Sequence, residues 1–190
     1  MEIIVASNNK NKIKEIKEIF KEVNANILSL KDINFNKEIE ETGTTFEENS
    51  LIKAKTIYNL YHKAVIADDS GLMVDALNGE PGVYSHRYAG LEEDDQANNL
   101  KLINNLKGVR DRSARFVCVI TYINSLGEVI QTRGEVEGEI IDEAKGNNGF
   151  GYDPYFYIKP LDKTMAELSL EEKNEISHRS KALAKLKELI

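Results

Sequence analysis

Apolar residues fall into short blocks separated by polar punctuation, and the period of the pattern changes from block to block. Residues 2 to 6, EIIVA, make a continuous apolar run of strand length. The polar turn SNNKN follows, and Ile13, Ile16, Ile19, Phe20 and Val23 then recur at helical spacing. A strand, a turn and a helix are expected there. The segment NFNKEIEETGTTFEENS is polar and holds Gly43. Thr45 with Glu48 makes a capping box that opens a helix through Ala54, Ile57, Tyr58 and Tyr61. A short strand, AVIA, is expected at 64 to 67. Residues 78 to 90, NGEPGVYSHRYAG, combine glycine with Pro81 and predict a long loop, of the kind a compact domain keeps for function or contact. The next helix is expected to turn Leu100, Ile103 and Leu106 inward. ARFVCVITYI and EVIQTRGEVEGEII flank the turn NSLG and predict an antiparallel hairpin, its second strand long enough to link two lobes. Beyond a second Gly-rich loop, GNNGFGYDPYFYI, capping boxes at Thr164 with Glu167 and Ser169 with Glu172 announce helical sequence. A final helix is expected after SHRSKAL.

Interleaved strands and helices with a hairpin predict an α/β chain built on a mixed sheet. No internal repeat is present, and 190 residues of which 41% are hydrophobic suffice for one domain, 1–190, with room for two lobes. The 25 Lys and Arg against 32 Asp and Glu leave a formal charge of −7, which argues against gripping nucleic acid through a bulk positive field. Anionic ligands then require locally placed cations or a metal. The opening residues lack a charged-then-apolar export signal, and apolar runs such as FVCVI are far too short to span a membrane. A cytoplasmic chain is expected. The single cysteine, Cys118, rules out an internal disulfide framework and reads as a buried strand residue.

Three clusters carry candidate chemistry. Asp68 and Asp69 follow the AVIA strand, and adjacent carboxylates at a strand's carboxyl end repel unless a cation or proton intervenes. Mg²⁺ fits, since it takes hard oxygen ligands from one or two carboxylates plus substrate phosphates. The alternative is a turn in which one Asp caps through Ser70 and the other is solvated. Lys12 lies in the first turn of the first helix, where the dipole disfavours a cation, so an anion is expected beside it. Ser7, Asn8 and Asn9 offer donors at the same helix start, although Ser7 or Asn9 could be a plain N-cap. Lys10, Lys14, Lys17 and Lys21, interleaved with Glu15, Glu18 and Glu22, read as an exposed face. In EKNEISHR, Lys173, Ser177, His178 and Arg179 gather cations, a ring and a hydroxyl at another helix start; a solvated charge cluster is the alternative. Neither the phosphate-loop lysine motif nor the dinucleotide glycine spacing is present.

Taken in order, SNNKNK, EETGTTFEENSLIKA, ADDSGLMVDALNGEPGVYSHRYAG, GFGYDP and EISHR make the chain resemble the HAM1/inosine triphosphatase family of non-canonical purine nucleoside triphosphate pyrophosphatases. The resemblance spans nearly the whole chain. It implies two α/β lobes around a long mixed sheet flanked by helices, an active-site cleft between the lobes, and a homodimer. By the same resemblance Ser7, Asn8, Asn9, Lys10, Asn11, Lys12 and Lys53 bind the triphosphate, Glu41 and Asp69 hold Mg²⁺, and Asp69 accepts a proton next to Ser70, itself a substrate-binding residue. Asp68 supports the metal shell. Phe150, Gly151, Tyr152 and Asp153 line the base pocket, and Lys173, His178 and Arg179 complete the phosphate and base contacts. Asn8 stands where relatives often carry glycine.

The implied reaction is attack of water on the α-phosphorus of ITP, dITP or XTP, releasing pyrophosphate and leaving the nucleoside monophosphate, which cleanses the nucleotide pool. Arg179 is the favoured donor to the C6 oxygen that distinguishes these bases from adenine, and Phe150 the stacking partner. The rival readings are a haloacid-dehalogenase-type phosphatase, which wants Asp-x-Asp where this chain has Ser-Asn-Asn, and a nucleotide sensor without turnover. The segment 79 to 90, with Tyr84, His86, Arg87 and Tyr88, is the candidate dimer contact.

Overall fold

The computed structural model describes residues 2–21, 25–90 and 93–190. Strand β1 (Glu2–Val5) lies between β2 (Asn26–Ser29) and β3 (Ala64–Val74) and runs parallel to both, with Ile3 opposite Ile27 and Ala64. Helix α1 (Lys10–Ile19) follows β1 as its pattern predicted; Ile16 and Phe20 are buried, and the expected contact at Val23 falls outside the described residues. Strand β2 has no counterpart in the sequence reading, because one exposed and three half-buried residues carry too little periodicity to stand out. Helix α2 (Phe46–Tyr61) opens on the Thr45 to Glu48 capping box and buries Ala54 and Ile57.

The remaining elements are α3 (Asp95–Asn105), β4 (Ser113–Ile123), β5 (Val129–Ile140), β6 (Phe156–Ile158), β7 (Lys163–Thr164), α4 (Leu170–Ile176) and α5 (His178–Lys187). The strands form one seven-stranded mixed sheet, β2-β1-β3-β4-β5-β6-β7, parallel at β1 and antiparallel from β5 to β7. β4 and β5 are neighbours joined by a tight turn in which the Gly127 amide donates to the Asn124 carbonyl. Both later capping boxes are present, at Thr164 and Ser169. The loop at 78–90 contains a 3₁₀ segment, Gly82–Arg87, and Cys118 is buried in β4. Among the described residues no helix is long and apolar enough to cross a membrane.

The chain divides into two compact units, each assembled from separated segments. The first holds Met1–Asp69, Cys118–Gly134 and Arg179–Ile190, and the second Ser70–Val117 and Glu135–His178. In the first unit the sheet is covered on both faces. Ile3, Val5, Ala64 and Ile66 pack with Ile16 and Phe20 from the α1 segment and Ala182, Leu183 and Leu186 of α5. Ile4, Ala6, Val65 and Ala67 pack with Ala54 and Ile57 of α2. This is the alternation of a pleated strand carried through the centre of a sheet. The second unit has its own core, including Leu72, Val74, Leu102, Leu106, Phe116, Phe156 and Met165.

Four local expectations need correction. The strand expected at 64–67 continues to Val74, so Asp68, Asp69 and Ser70 lie inside β3, and the turn capped through Ser70 does not exist. Leu100 is exposed, and Leu102 takes its place with Asn98 and Asn99 on the buried face of α3. Glu15, expected on a solvated face, is buried. The last helix starts at His178, within the SHRSKAL segment rather than after it.

Candidate active site

Side chains of neighbouring strand residues point to opposite faces. The parity that sends Ala64 and Ile66 toward α1 and α5 sends Asp68 there too; the parity of Val65 and Ala67 sends Asp69 toward α2. The two carboxylates therefore meet different cations. Lys12 Nζ lies 3.0 Å from Asp68 Oδ2, and Nε and Nη2 of Arg179 donate to the same oxygen at 3.4 and 3.3 Å. Arg179, 1% exposed, also donates through Nη1 to Glu15. The anion anticipated beside Lys12 is thus supplied in part by the chain itself. Asn9 is the N-cap of α1, its side chain accepting from the amides of Asn11 and Lys12, and the Asn9 amide donates to Ser7 Oγ at 3.1 Å. Asn8, Lys10 and Asn11 are exposed at this helix start.

On the other face, Lys53 Nζ of α2 lies 3.2 Å from Glu41 Oε1 and 3.8 Å from Asp69 Oδ1. Burial pushes the Asp69 carboxyl up, and Glu41 and Asp68 add to this; Lys53 and Lys12 oppose it, and the balance settles at about 6. Burial acts the same way on Asp68, but there Lys12, Arg179 and Lys53 prevail and hold the carboxyl well below the ordinary range. Burial would lower the Lys53 ammonium, yet Asp69, Asp68 and Glu41 hold it above its usual value. Two adjacent acids thus acquire different roles. Asp68 is a fixed anion inside a cationic clamp. Asp69 is a carboxyl that burial lifts above the ordinary carboxylate range.

In the second unit, Asp153 Oδ2 accepts from the Phe150 amide at 3.0 Å and from Lys173 Nζ at 2.9 Å, and that ammonium lies 4.8 Å from the centre of the Phe150 ring. The Gly151 amide donates to Asp95, while its carbonyl accepts from Asn99. The buried Tyr152 hydroxyl donates to the Ser85 carbonyl at 2.6 Å. Gly149 requires its lack of a side chain, because at φ +74° a Cβ would come within 2.1 Å of Asp153 Oδ2. His178 stacks on Phe116, with ring centres 5.0 Å apart, and Ser70 is buried at the start of this unit. Lys173 and His178 thus belong to the second unit, whereas Arg179 joins the Asp68 clamp of the first.

These clusters sit on the segments whose order along the chain marked the resemblance, and the Ham1 family profile matches residues 3–189. The chain belongs to the Ham1 family. Among its Ham1 relatives, the dITP/XTP pyrophosphatase of Bacillus subtilis is 52% identical over 192 residues, covering 100% of this chain and 96% of the relative. The dITP/XTP pyrophosphatase of Clostridium tetani is 47% identical, with coverages of 98% and 94%. The solved Ham1 protein of Staphylococcus aureus matches with a TM-score of 0.90 at 49% identity, covering 100% of this chain and 97% of that one. A HAM1 protein from Coxiella burnetii gives 0.91 at 41% identity, covering 100% and 98%.

Among the described residues of this Ham1 chain, no group of three or more His, Cys, Asp or Glu is placed to hold a metal by itself. The donors present nonetheless fit Mg²⁺, which needs only one or two protein carboxylates when phosphate and water complete its shell. Glu41 and Asp69 are the two carboxylates that could supply those oxygens, lying 3.2 and 3.8 Å from the Lys53 ammonium. The buried Asp68 Oδ1 has no hydrogen-bond partner among the described residues and suits a metal-bound water. Sequence reasoning missed Glu15 in this Ham1 site. Its spacing from Lys12 and Ile16, on one face of α1, was the available signal, masked by the lysines around it.

Proposed function

We propose that this protein hydrolyses deaminated purine nucleoside triphosphates, ITP, dITP and XTP, to the monophosphate and pyrophosphate. The observation that carries the reading is Asp69, a buried carboxyl raised to about 6 beside Lys53 and Glu41. A general base works best when its pKa lies near the operating pH, and this one accepts a proton from water without staying protonated at neutrality. As water attacks the α-phosphorus, its proton passes to Asp69, the bond from the α-phosphorus to the bridging oxygen breaks, and pyrophosphate departs. Lys53 and Lys12, with the donors at Ser7 to Asn11, hold the phosphate oxygens and stabilise charge that grows on the leaving group. Glu41 and Asp69 would hold Mg²⁺, which when bound neutralises phosphate charge and polarises the α-phosphorus.

Phe150 offers a stacking face, and Lys173, held by Asp153, with His178 and backbone amides offers donors to an oxygen at C6. Arg179 contributes through Asp68, whose carboxylate it and Lys12 hold. The names of the relatives support this substrate class, as does an acidic chain with no bulk attraction for nucleic acid. We further propose a cytoplasmic homodimer, with the exposed Tyr84 and its neighbour Arg87 in the contact.

Product analysis with Mg²⁺ on ITP, dITP, XTP and the four standard triphosphates tests this reading. Pyrophosphate plus monophosphate from the deaminated purines supports it. Release of inorganic phosphate would indicate a phosphatase, and ligand protection without products a sensor.

A further inference from the structure

Asn49 lies one turn before Lys53 on α2 and is fully buried. Asparagine is a poor choice for a helix interior unless its side chain has work elsewhere. Its Oδ1 accepts the Gly43 amide at 2.8 Å. The next two amides, of Thr44 and Thr45, donate to Glu48 Oε2 at 2.7 and 3.2 Å. The capping box explains the Glu48 contacts, but Gly43 lies beyond the reach of a capping box. The Asn49 contact instead fixes the backbone two residues after Glu41, whose carboxylate meets Lys53 on the same helix. Space is tight there: a Cβ on Gly43 would come within 2.6 Å of Glu48 Cβ and 2.7 Å of Asn49 Oδ1. An amide can only donate, so the Gly43 contact orients the Asn49 side chain and leaves its buried Nδ2 with no hydrogen-bond partner among the described residues. That unmet donor is a cost a purely structural position would shed.

We infer that Asn49 is a positioning residue for the metal ligand Glu41: by clamping the Gly43 amide to α2 it sets the Glu41 carboxylate opposite Asp69. The inference rests on the proposed ligand role of Glu41. Groups that orient a metal ligand typically change metal affinity 10- to 100-fold when removed.

The test titrates Mg²⁺ into the substrate-free protein, followed by amide chemical shifts, and measures hydrogen exchange at the Gly43 amide in the same samples. Asn49→Ala is expected to expose the Gly43 amide to exchange and to weaken Mg²⁺ binding about 10-fold, while α2 stays helical. Asn49→Asp keeps an acceptor for Gly43 and should retain both the protection and Mg²⁺ affinity. Gly43→Ala, which displaces the loop with Asn49 intact, should weaken Mg²⁺ as Asn49→Ala does and serves if that variant does not fold. Wild-type Mg²⁺ affinity in Asn49→Ala or Gly43→Ala, or equal weakening in Asn49→Ala and Asn49→Asp, overturns the inference. Glu41→Gln separates the two levels. If it binds Mg²⁺ like the wild type, the ligand reading falls and takes the inference with it; if it binds weakly while Asn49→Ala is normal, only the inference falls.

Discussion

Replacing Arg179 with Met tests whether the buried ionic cluster is organised as described. The guanidinium is held by Asp68 and Glu15, all three side chains being at most 5% exposed. Met preserves much of the apolar stem but takes the guanidinium away from Glu15 and from Asp68, which keeps Lys12 at 3.0 Å. Breaking a buried pair from one side costs about 3 to 5 kcal/mol, because an uncompensated charge stays out of water. That is a large share of a folding stability of roughly 5 to 15 kcal/mol. The depressed Asp68 carboxyl sets the pH dependence: its stabilising contribution is present above about 3.8, the ordinary value, and is lost as pH falls toward the folded-state value. Losing Arg179 reduces that depression, so acid unfolding of Arg179→Met should begin at higher pH. Glu15→Gln in the same chain removes the buried carboxylate that lost its guanidinium and should recover at least about 1 kcal/mol relative to additivity. Urea unfolding followed by circular dichroism, at pH 7 and across the acid range, measures all three quantities. A loss below about 1 kcal/mol for Arg179→Met, with the acid limb unmoved, would sink the account of Asp68 as a fixed anion.

Asp69→Asn should lower turnover by about 10²-fold or more, as for loss of a general base, in a steady-state pyrophosphate assay. The same variant should be more stable than the wild type above pH 6 in metal-free buffer. With a folded value of about 6 against 3.8, the wild type binds its proton more tightly when folded and loses stability as pH rises through that window, by up to roughly 3 kcal/mol. Added Mg²⁺ should stabilise the wild type and not Asp69→Asn in thermal melts. Lys53→Ala should weaken triphosphate binding by about 1.5 to 3 kcal/mol in calorimetry, the range for charged hydrogen bonds. Phe150→Ala should reduce hydrolysis of ITP and any residual ATP or GTP in parallel, since stacking is indifferent to the base; a selective loss would give Phe150 a role in choosing the base.

Sequence alone determined the features that depend on neighbouring residues. The boxes at Thr45, Thr164 and Ser169 marked their helix starts, because a cap is satisfied within four residues. Asn9 was legible as a possible cap for the same reason, and the ordered motifs were enough to bring out the resemblance before any contact was known. Tertiary structure decided what depends on pairing across the chain. AVIADDSGLMV reads as a short strand with a polar break, yet it stays extended for 11 residues: β1 pairs with it at Ala64 to Ile66, β4 is its neighbour on the other side, and farther along the Leu72 amide donates to Ser85 Oγ and the Val74 amide to the Glu80 carbonyl. Only that extension places Asp68 and Asp69 on opposite faces, where Lys12 and Arg179 stabilise one charge while burial raises the other carboxyl. Leu100 and Leu102 are equally apolar in sequence; packing buried the second beside two asparagines. Glu15 looked like surface charge until Arg179, 164 residues away, was brought against it. A charge's neighbours along the chain show what it could do, and its partners in space, with the water they exclude, set what it does.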